Sequence, residues 1–270
     1  YELDLGDLAN SNYTVTLSGT PVDFTINKKP VTVTPDSAQS KTYGAADPTF
    51  TYTTSPALVG TDSLTGALDR EEGDDVGTYE LNLGDLANSN YTVTLSGTPV
   101  DFTIDELAVV VTPDSAQSKT YGAADPTFTY SVSPALVGTD SLTGALDRED
   151  GDDVGTYELD LGDLANSNYT VTLSGTPVDF TIDELAVVVT PDSAQSKTYG
   201  AADPTFTYSV SPALVGTDSL TGALDREDGD DVGTYELNLG DLANSNYSIT
   251  LSGTPVDFTI DELAVVVTPD

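Results

Sequence analysis

Apolar and polar residues alternate one for one along most of this chain. The stretch "TFTYSV" places Phe128, Tyr130 and Val132 on one side and Thr129 and Ser131 on the other. "YTVTLSG" does the same with Tyr169, Val171 and Leu173 against Thr170, Thr172 and Ser174. "TYELDL" aligns Tyr157, Leu159 and Leu161, "VDFTI" aligns Val178, Phe180 and Ile182, and "LAVVVTP" aligns Val187 and Val189. A period of two predicts β-strands with one buried face. Between them lie clusters of Gly, Pro, Asn and Asp, "YGAADP", "SPALVGTD", "REDGDD", "ANSN" and "SGTP", which predict turns. No segment carries a helical period beyond one short turn in "GDLANSN".

The pattern recurs every 78 residues, with "GTYEL" beginning at Gly77, Gly155 and Gly233. Residues 105–182 and 183–260 differ at three positions, and residues 27–104 differ from 105–182 at nine. The expected organisation is therefore three repeats, 27–104, 105–182 and 183–260. Residues 1–26 are the C-terminal part of a truncated repeat, and 261–270 the first strand of a following one, as in a segment of a longer array. Each repeat holds six or seven predicted strands. The fold class is all-β: a tandem array of small antiparallel β-sandwich domains of Ig-like type, with a compact β-grasp-like module as the alternative. Only Asp183 and Glu184 separate the last strand of one repeat from the first of the next. A connection so short makes neighbouring repeats touch.

Composition narrows the function. The chain has 45 acids against 8 bases, a net charge of −37, and no Cys, His, Met or Trp. So acidic a chain repels nucleic acid and anionic membrane surfaces, and no apolar run is long enough to cross a bilayer. Without Cys there is no disulfide framework or thiol nucleophile, and without His the usual general base is missing. The chain reads as non-enzymatic. Carboxylate pairs of the kind that hydrolyse glycosides recur in every repeat, but each repeat is too small to enclose a substrate cleft.

The densest charge lies in "DREDGDD", where Asp147, Glu149, Asp150, Asp152 and Asp153 fall within seven residues. Asp225, Glu227, Asp228, Asp230 and Asp231 repeat them. Arg148 ends one predicted strand and Val154 starts the next, so this is a hairpin tip whose Gly151 supplies positive φ. A solvated turn accounts for its polarity. Like charges repel, however, and Ca2+, which takes six to eight oxygens, is the candidate cofactor that would offset the repulsion. The spacing does not match an EF-hand loop. The second candidate Ca2+ site is the junction pair Asp183 and Glu184, with Asp163, Asn166 or Asp218 as helpers. The first junction, Asn27 to Pro30, carries Lys28 and Lys29 and should lack it. Lys41, Lys119 and Lys197 read as strand-edge lysines, with a Lys–Asn crosslink as the alternative. Asn90, Asn168 and Asn246 stand in glycosylation sequons that turn chemistry explains equally well. Tyr121, Tyr130 and Tyr157 are candidates for a carbohydrate groove or for ordinary packing.

Several phrases recur in order in every complete repeat: Lys119-Thr120-Tyr121-Gly122, Asp125-Pro126, Gly144-Ala145-Leu146, Arg148, Gly151, Gly155-Thr156-Tyr157, Asn168-Tyr169 and Phe180-Thr181-Ile182. In these the chain resembles the MBG-type (YGX-type) tandem repeat of large bacterial surface and adhesin proteins. The resemblance covers nearly the whole chain. It implies an extracellular or cell-surface location and tandem β domains that serve as stalks or binding modules, and it implies no catalytic residues. Three functions are expected from this. The first is a structural extender of a secreted or surface protein, rigidified by its short junctions and by Ca2+. The second is a repeated carbohydrate- or protein-binding module that grips a glycan or host surface through avidity. The third is a self-assembling filament subunit whose partners are other copies. In each, the nearest partners are the neighbouring repeats of the same chain.

Overall fold

The structure, a computed structural model, describes residues 1–268. Strands form where the period of two places them. In the first repeat these are β1 (Lys29–Pro35), β2 (Gln39–Thr42), β3 (Tyr52–Ser55), β4 (Asp69–Arg70), β5 (Gly77–Asn82), β6 (Tyr91–Leu95) and β7 (Asp101–Asp105). They make two sheets, one ordered β3-β1-β6 and the other β4-β5-β7-β2, and the second and third repeats have the same order. Among the described residues there is no helix. The tandem all-β reading therefore holds, with seven strands to a repeat.

The expectation of purely antiparallel sheets needs correction, because the pairing is mixed. β1 pairs antiparallel with β3 but parallel with β6, in register from Lys29↔Tyr91 to Val33↔Leu95. β7 pairs antiparallel with β5 but parallel with β2, from Gln39↔Phe102 to Thr42↔Asp105. Alternation fixes which side chains face inward, and that is the same for either direction of pairing. The consequence is closure: the first two strands of each repeat are hydrogen-bonded to its last two.

Both sheets contribute to one core per repeat. In the first repeat Val33, Phe50, Leu68, Leu81, Leu86, Phe102 and Ile104 pack together, and the second and third repeats bury their equivalents. Phe128 meets Phe180 edge to face at 5.2 Å, and Phe180 is fully buried. Burial of each such side chain contributes about 1.5–3 kcal/mol. Tyr130 and Tyr157 pack against this core and so are half-buried, not free for a groove.

The chain divides into two compact units, Tyr1–Ala108 with Ser167–Thr170, and Val109–Asn166 with Val171–Asp270. Outside the repeats, Tyr1 to Ile26 contribute only isolated bridges, Glu2↔Asp23 and Asn10↔Tyr13, and Phe24 is exposed where its equivalent Phe102 is buried. The strand expected over 261–270 is not formed between Glu262 and Thr268, and its last two residues lie outside the described ones. The first strand of a repeat needs that repeat's third and sixth strands as partners, and this sequence contains neither.

Two basic side chains are sunk into each repeat, and in the second they are Arg148 and Lys119. The Arg148 side chain is 7% exposed. Its guanidinium carbon lies 5.0 Å from the Tyr157 ring centre and 5.6 Å from that of Phe180. Nη1 donates to the carbonyls of Glu149 and Gly151, and Nε to Asp125 Oδ2 at 2.8 Å. Lys119 Nζ takes Asp125 Oδ1 at 2.5 Å. Arg148 first, and Lys119 with it, hold the Asp125 carboxyl below its ordinary range against the opposing effect of burial. The lysine thus has an ionised aspartate as its partner, which suits an ion pair and not a crosslink to asparagine. Arg148→Met should destabilise the second repeat by about 1–3 kcal/mol, between the values for exposed and buried pairs. Hydrogen exchange of that repeat's core amides measures the change, and exchange at the native rate would contradict the assignment.

Candidate functional site

The acidic segment is the hairpin its sequence predicts, with Asp147 opposite Asp160 and Arg148 opposite Leu159. Gly151 has φ +153°, and a Cβ there would come within 2.2 Å of the Tyr157 ring, so both backbone and space require glycine. The carboxylates do not converge. Asp147 accepts from the Arg148 N–H, and Glu149 from the Glu158 N–H. Asp150 points to solvent, and Asp152, 97% exposed, lies 4.0 Å from Arg148 Nη2. In the third repeat Asp225 and Glu227 accept from the N–H groups of Arg226 and Glu236. Asp228 is exposed, and Asp230 lies 3.7 Å from Arg226 Nη2. Asp183 and Glu184 are both exposed, and Asp183 contributes its carbonyl to the Tyr121 N–H. Among the described residues no three carboxylates are grouped as a metal ion requires. As they stand, these carboxylates bond their own backbones, lie near an arginine or face solvent. Asp163 and Asn166 also serve their own loops, bonding the Ala145 N–H and the Ser141 carbonyl.

What the hairpin does bring together is a joint. In the second unit Asn246, only 8% exposed, reaches from the third repeat to the second. Its Oδ1 accepts from the Val154 N–H at 2.9 Å, and its Nδ2 donates to Asp153 Oδ1 at 2.8 Å. Beside it, Asp218 Oδ2 accepts two hydroxyls, from Tyr121 of the second repeat at 2.8 Å and from Tyr247 of the third at 2.6 Å. The two rings meet edge to face at 5.4 Å. Gly122 lies so close to Val215 that a Cβ on it would stand 2.5 Å from Val215 Cγ2. One residue, Glu184, separates the strands Asp179–Asp183 and Leu185–Pro191 that run through this joint. The first unit has the same asparagine contact: Asn168, also 8% exposed, bonds the Val76 N–H and Asp75 Oδ1 at 2.9 and 2.8 Å, and Tyr43 meets Tyr169 at 5.4 Å.

Local sequence explains the presentation. In "ANSN", Asn244 Oδ1 accepts from the Asn246 N–H while its Nδ2 donates to the Ser219 carbonyl, so the first asparagine shapes the turn that aims the second. The Val154 N–H stands at the end of the hairpin outside its ladder. A buried donor left without a partner costs about 1–3 kcal/mol, and Asn246 is its partner. Asp75 and Asp153 each act twice: their carbonyls accept the Tyr79 and Tyr157 hydroxyls, and their carboxylates accept from the asparagine of the next repeat.

Several sequence signals pointed here without naming the joint. Asp218 was a candidate junction ligand, and it does lie at the junction, but it gathers hydroxyls. Asn168 and Asn246 read as glycosylation sequons, and their side chains are buried in the joint instead. Asn90, the equivalent in the first repeat, is exposed. Tyr121 lies past the end of the strand Gln117–Thr120, so the period of two never accounted for it. That is the one signal in the sequence that could have marked it.

The Tyr247 hydroxyl first, and that of Tyr121 second, hold the Asp218 carboxyl below its usual range. Its hydrogen bond, together with burial, pushes the Tyr121 hydroxyl up. A depressed carboxylate contributes stability above its unfolded pKa, about 3.9, and loses it as pH falls through the folded value. The thermal midpoint of the native chain should therefore exceed that of Asp218→Asn by a constant margin from pH 7 to about 4, with the margin closing below that. A margin unchanged down to pH 3 would show that the charge of Asp218 has no part in the joint.

No curated protein matches the chain. The MBG domain (YGX type) matches three times in tandem, over residues 31–100, 109–178 and 187–256, so that its matches cover well over half of the sequence and each runs from within the first strand of a repeat to just before its seventh. By these matches the chain belongs to the MBG domain (YGX type) family.

Proposed function

We propose that this array is a non-enzymatic extender, a stalk segment of a secreted or cell-surface adhesin-like protein. Tandem MBG domains make it a repeated array of extracellular type. No helix among the described residues is long and apolar enough to cross a membrane. The observation that carries the extender reading is the buried Asn246, which bonds both Val154 and Asp153 across a junction of one residue. A linker alone would permit swivelling, whereas a satisfied buried amide with an aromatic contact beside it holds one angle. In this reading the acidic tips are solvated turns and salt acts by screening, with no ion specificity.

The outer faces of the strands support the same reading. They carry Thr, Ser, Glu and Asp, as in Thr156, Glu158 and Asp160 or Thr170 and Thr172. The binding-module alternative calls for an exposed aromatic row on each repeat, but Tyr121, Tyr130 and Tyr157 are half-buried in joints or against the core. The net charge of −37 opposes collapse of near-identical neighbours onto each other.

The chain has no cysteine, so a pair of spin labels can be placed without ambiguity. With Ser131→Cys and Ser209→Cys labelled in the full chain, the distance between the second and third repeats should have one narrow distribution. Asn246→Ala combined with Tyr121→Ala should broaden it. Ca2+ should narrow it no more than Mg2+ at equal ionic strength. A broad native distribution would end the extender reading, and narrowing by Ca2+ alone would move the stiffening from these side chains to an ion.

A further inference from the structure

Tension along the chain acts on two strands of a repeat, because the chain enters through β1 and leaves through β7. In the first repeat it draws β1 towards its Lys29 end and β7 towards its Asp105 end. Each of these strands has a parallel partner. β6 lies beside β1 over five residue pairs, and β2 lies beside β7 over four. β6 continues through 96–100 into β7, so tension reaches it at its Leu95 end. β2 follows β1 through 36–38, so tension reaches it at its Gln39 end. In both pairs the two strands are therefore pulled from opposite ends. An antiparallel partner in either place would be pulled from the same end, and its ladder would open one bond at a time.

We propose that these two parallel pairs are shear clamps, and that bearing tensile load is a further function of the array. Strands pulled from opposite ends separate by sliding, which strains every bond of the shared ladder together. The ladder of β1 and β6 is closed at both ends: the Lys29 N–H donates to the Asn90 carbonyl at 2.9 Å, and the Ser96 N–H to that of Val33 at 2.8 Å. Thr94 Oγ1 adds a bond to the Val31 carbonyl between them. The ladder of β2 and β7 is prolonged by the Tyr43 N–H, which donates to the Asp105 carbonyl at 2.8 Å.

Burial keeps the clamped strands from creeping. Val31 and Val33 of β1 and Phe102 and Ile104 of β7 are at most 2% exposed. A slip of one residue would turn each of them to the outer face. The nearest register that keeps the faces lies two residues away, about 6.6 Å, and a strand displaced that far has left its bonding partners. The third repeat has the same two pairs, from Leu185↔Tyr247 to Val189↔Leu251 and from Ser196↔Thr259 to Thr198↔Asp261. Rupture under load is set by the unfolding barrier and not by equilibrium stability, so a repeat of ordinary stability can resist force in this one direction.

The load-bearing role rests on the extender reading, since only a chain held at both ends is under tension, and the test separates the two. The full chain has no cysteine, so handles for single-molecule force spectroscopy attach only where one is introduced. Lys28→Cys with Asp105→Cys, both at exposed positions, pulls the first repeat along its own chain direction and loads both clamps. Lys28→Cys with Ser89→Cys, also exposed, pulls β1 and β6 from the same end and peels them apart. At equal loading rate the first pair of handles should rupture the repeat at a force at least about twofold above the second, because five residue pairs are loaded together and not in turn. Equal forces in the two directions, or a lower force through residues 28 and 105, overturn the clamp and leave the spin-label distance between the second and third repeats as it is. A broad spin-label distribution would end the extender reading while the contrast between the two pulling directions stands.

Discussion

Each repeat depends on one buried guanidinium. Arg148 lies between the Tyr157 and Phe180 rings, and its donors reach two segments far apart in sequence. Asp125 belongs to the loop that follows Tyr121 and Gly122, and Gly151 belongs to the turn that precedes Asp153 and Val154. Those two segments are the half of the joint that meets the next repeat. A charge taken out of water is costly unless it is paired and hydrogen-bonded, so the arginine holds both segments in place as a condition of its own burial. Lys119 shares Asp125 and restrains the same loop. The core and the junction are therefore one mechanical system: whatever loosens Arg148 also misplaces Tyr121 and Val154.

The acidic residues of the hairpin tip are turned in different directions. Five carboxylates in a hairpin tip look like a cage, yet each is turned to its own backbone, to Arg148, to the next repeat or to water. A cage requires oxygens converging on a point, whereas in a wet turn like charges lower their energy by diverging. The negative charge then works over the whole surface. Net negative charge opposes the close approach of near-identical β domains. Asp153 and Asp218 are the two acids that act singly, one on an amide and one on a pair of hydroxyls.

An array built this way is modular in a strict sense. Both junctions between complete repeats use the same asparagine and tyrosine-ring contacts, so adding a repeat adds a joint without new chemistry, and stability accumulates along the chain by neighbour terms.

The all-β class, the strand faces, the hairpin at Arg148–Val154 and the 78-residue repeat were legible in the sequence, because a period of two and the turn residues are local properties of the chain. Phe180 and Ile182 are buried where alternation put them. Chain direction was not legible: β1 beside β6 and β2 beside β7 run parallel, and inward-facing residues look the same for either direction. Nor was the joint. Tyr121 lies 97 residues from Asp218, and Asn246 lies 92 from Val154. All four stand in loops or at strand ends, where side-chain alternation carries no information. Only the folded loops of two consecutive repeats bring an orphan N–H, a carboxylate, an amide and two hydroxyls within hydrogen-bonding distance. Local sequence therefore determined what each repeat is, and tertiary structure decided how one repeat takes hold of the next.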